Sequence, residues 1–272
     1  MKYSICAFLA VLFMHSPLMA ADLCDEHAAQ QEVCYKMNNL RAQIHALDAQ
    51  RELMQVNPSY YEAFGHSLAR SARGILKIIQ PGIPEHFMGL SEVARQGNEL
   101  AKTAIQDDAS GMVVTANLIK NNCATCHSGR SSANGNSWDR IFKNDWSVIS
   151  KRCNEPGRNP YLCKSMNGIL SAYSVQGTAP NAKIQDYEMT QKTSEEIGRI
   201  LVDLKDKNFK HFDSKIRDAA EATAAEVALL ASQKNPLAFE RSKDLLSTCA
   251  QCHQVTSGTG DPRIRPDWFA YR

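Results

Sequence analysis

The chain has 272 residues, of which 43% are hydrophobic and 22% charged, a composition that belongs to folded globular protein with room for two domains of ordinary size. Its 31 Lys and Arg against 29 Asp and Glu leave a formal charge of +2, too even a balance for a nucleic-acid binder. Nine cysteines are what those averages leave to be explained.

Residues 1–20 read MKYSICAFLAVLFMHSPLMA, with one Lys, a short apolar run and a small residue at Ala20. This is the pattern of a secretory signal peptide cleaved after Ala20 or Ala21. Beyond it no stretch offers the 18 or more nearly uncharged apolar residues of a membrane span. The expectation is an exported, periplasmic protein that does not span the membrane, with eight cysteines in a compartment where disulfides persist.

Four helices are expected next, near 25–55, 59–80, 85–107 and 112–128, separated by Asn57-Pro58, by the Pro81 to Pro84 run and by Ser110-Gly111. In the third, Phe87, Leu90, Ala94, Gly97, Ala101 and Ala104 form one stripe at helical period. The segment 128–151, with its Gly and Asn residues followed by Trp138 and Trp146, reads as a linker that could also pack between two bundles. Four more helices are expected near 160–176, 187–207, 209–233 and 237–254, with Phe212, Ile216, Ala219, Thr223, Val227 and Leu230 as the corresponding stripe. Thr223 is its polar member, with a hydroxyl able to bond back to a carbonyl one turn earlier. No alternating strand pattern competes. Short connections between such helices favour an all-α protein of two tandem antiparallel four-helix bundles, spanning 21–145 and 146–272.

Two pentapeptides carry the chemistry: Cys123-Ala-Thr-Cys126-His127 and Cys249-Ala-Gln-Cys252-His253. C-x-x-C-H is the attachment sequence of c-type haem. On a helix, positions i, i+3 and i+4 share a face, so two thiols can form thioethers to one porphyrin while the imidazole reaches its iron. Nine Cys and eight His in 272 residues would yield far fewer than one such pentapeptide by chance. A thioredoxin-like reading expects a βαβ setting, and a zinc reading lacks a fourth ligand for either set.

The motifs stand 126 residues apart, and the offset extends beyond them. His86-Phe87 recurs as His211-Phe212 after 125 residues. Cys24, Cys34 and Met37-Asn38 recur as Cys153, Cys163 and Met166-Asn167 after 129. The chain is an internal duplication with one haem motif near the end of each copy. The repeated ten-residue cysteine spacing suggests the bridges Cys24–Cys34 and Cys153–Cys163, against a bland alternative of buried thiols. Ten residues of straight helix span about 15 Å and a disulfide needs Cα atoms within about 7 Å, so the chain between must turn back. Pro156, Gly157 and Pro160 make this easy in the second copy, while residues 25–31 look helical and make it less obvious in the first.

A four-helix unit with CxxCH on its last helix resembles the class II cytochromes c, cytochrome c′ and its low-spin, methionine-ligated relatives. The resemblance covers the mature chain, once per copy; the tandem arrangement, the short second connection and the leading cysteine pairs depart from the family's usual pattern. Class I cytochromes c, with CxxCH near the N-terminus, fit poorly. The resemblance implies two covalently attached haems c, with Cys123, Cys126, Cys249 and Cys252 as thioether anchors and His127 and His253 as proximal iron ligands. It also implies that a first-helix residue covers the opposite face of each haem, which makes Met37 and Met166 the candidate distal ligands. His86 and His211 are alternatives, either as ligands or as propionate partners, whereas His27, His45 and His66 have no counterpart in the other copy.

A thioether ligand raises the potential of a six-coordinate, electron-transferring haem, while an empty position leaves iron open to small molecules. The expected function is electron transfer between redox partner proteins without substrate turnover. Binding of a diatomic gas such as nitric oxide is the alternative, and a dihaem peroxidase a third reading that lacks an evident acid–base residue. Residues 21–150 are slightly acidic and 151–272 slightly basic, a weak asymmetry best read as solvated surface.

Overall fold

A computed structural model describes residues 31–79, 84–128, 146–178, 185–207 and 214–257. Every regular element among them is an α-helix, as expected. The first repeat supplies α1 (Gln31–Leu53), α2 (Pro58–Leu76), α3 (Pro84–Ile105) and α4 (Ala109–Ser128). A short α5 (Trp146–Cys153) leads into the second repeat: α6 (Pro160–Thr178), α7 (Tyr187–Asp206), α8 (Ser214–Ser232) and α9 (Leu237–Ser257). None of these helices is long and apolar enough to cross a membrane.

Local chemistry sets the boundaries. Asn57 precedes α2 in an extended conformation and Pro58 takes the first helical position, where its missing N–H costs nothing. Asn159 plays the same part before Pro160, its Oδ1 accepting from the Leu162 N–H at 3.0 Å. The α3–α4 and α8–α9 turns are alike. Asp107 and Lys234 hold φ of 54° and 53°, and the next N–H groups, of Asp108 and Asn235, each reach back 2.9 Å to the carbonyls of Thr103 and Leu230. This is the six-to-one bond of a Schellman ending, built twice without glycine.

Successive helices within each repeat pack on one another, and the repeats meet through α1 against α6 and α2 against α7. One apolar core therefore runs through both, from Tyr61, Phe64 and Leu68 on α2 to Ile197, Ile200 and Leu204 on α7. α2 and α3 cross most tightly. A Cβ on Gly65 would meet the Gly97 oxygen and Ala101 nitrogen at 2.5 Å, and one on Gly97 would meet the Gly65 oxygen at 2.7 Å.

Three expectations are corrected. Phe87 shares the stripe of Leu90, Ala94, Ala101 and Ala104, which are buried, but is itself 48% exposed. It lies in the first turn of α3, and the antiparallel crossing at Gly65 and Gly97 puts that turn level with the end of α2. In α8 the buried face is Ala220, Ala224, Val227, Ala228 and Ala231, one position round from the expected stripe; Ala219 is exposed. Thr223 does donate to the Ala219 carbonyl, at 2.8 Å. The segment read as a linker runs into α5, a helix not expected there; its Trp146 is 5% exposed and packs on Ala49 and Leu53 of α1, in keeping with the packing role also expected of this segment.

Candidate functional site

Both pentapeptides lie on helix: Cys123 to His127 in the last two turns of α4, and Cys249 to His253 towards the end of α9. Each motif therefore has its i, i+3 and i+4 positions on one helical face. Cys123 is 8% exposed and belongs to the core. The side chains of Cys126, His127, Cys249, Cys252 and His253 lie outside the described residues, as does that of His86, although its backbone forms the first turn of α3. His211, Cys24 and residues 1–20 lie outside them entirely.

The motif end of α4 is tied to the start of α3, where the Asn122 Nδ2 donates to the Gly89 carbonyl at 2.8 Å. The start of α1 belongs to the same end: a Cβ on Gly74, near the end of α2, would lie 3.6 Å from the Lys36 Nζ. Met37 is thus carried on the α1 half that lies nearer the motif end, half-buried and packed against the core. Met166 holds the same relation to α6 and to the same core.

The cysteines at the head of each repeat have a described partner in one case. Cys153 closes α5 and is bridged to Cys163 in the first turn of α6, with Cα atoms 5.4 Å apart across a separation of ten residues. Gly157, at φ 83°, lets the chain reverse between them. Cys34, on α1, is also disulfide-bonded. The asparagine of the repeated Met-Asn pair turns towards these sulfurs. Asn167 Nδ2 donates to the Cys163 carbonyl at 2.8 Å and stands 3.7 Å from its Sγ, and Asn38 Nδ2 stands 4.0 Å from the Cys34 Sγ. The recurrence of asparagine thus has its reason in the cysteine one turn before it.

The structural offset between α3 and α8 is 127, as the buried faces and the Asp107 and Lys234 turns agree. The His86 and His211 spacing of 125 is two positions out of that register.

A polar cluster that the sequence reading missed sits where the repeats meet. The Glu196 carboxylate, 4% exposed, accepts from Gln50 Nε2 and Asn57 Nδ2 at 3.0 Å each and from Arg199 at 2.7 and 2.9 Å. Burial alone would raise its pKa, but the Arg199 guanidinium with the Gln50 and Asn57 amides outweighs that and holds it below the usual carboxylate value. Beside it, Ala46, Met54, Tyr60, Gly168 and Ser171 help line a cavity of about 10 Å³, room for a single water. Burial and the nearby Glu196 and Tyr61 push the Tyr60 hydroxyl well up. The signal for this cluster was available, since Asn57 with Asp186 and Arg70 with Arg199 recur at the same offset of 129 as the cysteine pairs.

Comparison with known family models, curated proteins and solved structures finds no match for this chain.

Proposed function

We propose that the chain is an exported, periplasmic c-type cytochrome with two covalently attached haems, moving electrons between redox partner proteins. Each repeat, 21–145 and 146–272, acts as a four-helix bundle of the class II cytochrome c kind. The observation that carries the reading is the paired CxxCH motif held in helical conformation near the end of each repeat, with Cys123 turned into the apolar core. The residues fit the group: thiols at i and i+3 and an imidazole at i+4 supply both anchors and a ligand on one face. Met37 and Met166 are the proposed ligands for the opposite faces, supported by their equivalent, half-buried positions on α1 and α6. When bound, the haem supplies a one-electron iron couple; the chain holds it, shields it from water and sets its ligands.

Natively produced protein should show two haems per chain by pyridine haemochrome analysis and intact mass. Absence of attached tetrapyrrole would overturn the proposal. The ferric methionine-to-iron charge-transfer band should weaken in Met37→Ala and Met166→Ala separately. Unchanged spectra would remove both methionines as ligands, and a high-spin ferrous wild type that shifts with carbon monoxide would replace electron transfer by gas binding.

A further inference from the structure

The contacts between the repeats are reciprocal. Position 57 of the first repeat corresponds to 186 of the second, and 67 corresponds to 196. Asn57 bonds to Glu196 and Ser67 bonds to Asp186, so each position meets the counterpart of the other. That is the signature of a quasi-two-fold interface. The chemistry on it is complementary rather than repeated. Each pairing has one carboxylate and one neutral partner, but the carboxylate is Glu196 at one crossing and Asp186 at the other. The arginine three residues on follows the charge: Arg199 holds Glu196 on its own helix, whereas Arg70 reaches across to Asp186 at 3.0 Å and Glu188 at 2.8 Å.

We infer that the α1–α2 face is an interaction surface that accepts the α6–α7 face and rejects a copy of itself. Two first repeats face to face would set Asn57 against Ser67 and leave both Arg70 guanidiniums without Asp186 and Glu188. Two second repeats would set Asp186 against the buried Glu196, and like charges so placed oppose association strongly. Shape acts in the same direction. Met54 lies against Gly168, where even a Cβ would meet its sulfur at 3.1 Å, and the first repeat carries Asn39 at the matching position. The duplication has diverged so that its two faces recognise each other and not themselves. The inference does not depend on the haem reading.

The test places glutamate or glutamine at position 67 of the full-length chain, in two backgrounds, and compares stability by urea unfolding. In the wild-type background Ser67→Glu faces Asp186, and should have a folded-to-unfolded ratio about tenfold or more below that of Ser67→Gln. In the Asp186→Asn background the order should reverse, because the introduced carboxylate gains the new amide and Arg70, the arrangement already present at Glu196. If Ser67→Glu fails to fold while Ser67→Gln folds, the first direction is met and recovery by Asp186→Asn decides. The same order in both backgrounds, or no recovery, would overturn the inference.

Discussion

Lys234 and Asp107 hold left-handed backbone with side chains that oppose it, a cost that glycine at a helix ending avoids. Lys234→Gly should stabilise the protein by about 0.5–1 kcal/mol, read as a higher urea midpoint with an unchanged slope. Glu196 makes the opposite kind of prediction, one in pH. Its carboxyl lies below the ordinary value of 4.5 when folded, so the unfolded chain binds its proton more readily. The stability it contributes is complete above 4.5 and is lost as the pH falls through and below that value. Glu196→Gln should flatten the acid side of the stability profile, and it should cost about 1–3 kcal/mol at neutral pH by loosening Arg199, Gln50 and Asn57. An unchanged acid limb would show that other carboxylates govern it.

Glycine substitutions should separate the crossing of α2 and α3 from an ordinary helix surface. Gly97→Ala forces the two backbones apart and should cost about 1–3 kcal/mol. Gly198→Ala, on α7 where nothing lies within 4 Å, should stabilise by about 0.5–1 kcal/mol. Both are read by thermal or urea unfolding. The same elements mark how far the sequence could be read. Proline and the turn residues announced most helix limits, because each acts on the backbone locally. The face of α8 was misread by one position because it is alanine-rich, and alanine on every side gives a periodicity little contrast. α5 was hidden in a segment of Gly and Asn, and its burial depends on Trp146 finding Ala49 and Leu53, nearly a hundred residues earlier in the chain. The helical setting of the two CxxCH pentapeptides was legible, since both fall inside expected helices. The Glu196 cluster left only an indirect trace, the 129-residue offset of Asn57 to Asp186 and Arg70 to Arg199, because a buried carboxylate looks like a surface one until its partners Gln50 and Asn57 are placed beside it.

Across the molecule, one continuous core joins the repeats, so they should melt together. Phe64→Ala on α2 and Leu204→Ala on α7 remove buried side chains from that core and should each lower a single common transition, by about 2–5 kcal/mol. Two separable transitions by circular dichroism and calorimetry would show independent folding units.

The reciprocal pairing of Asn57 with Glu196 and Ser67 with Asp186 means that α2 and α7 run in opposite directions past a point near Glu62. Their far ends, beside which α4 and α9 finish, then stand about 40 Å apart at 1.5 Å per residue. If the chain carries the two haems proposed above, each would sit at its own pole, with a separate approach for a donor or acceptor. Removing one attachment motif, as in Cys249→Ser with Cys252→Ser, should leave the midpoint potential and exchange rate of the surviving centre unaltered. A shift in either would mean that the poles communicate.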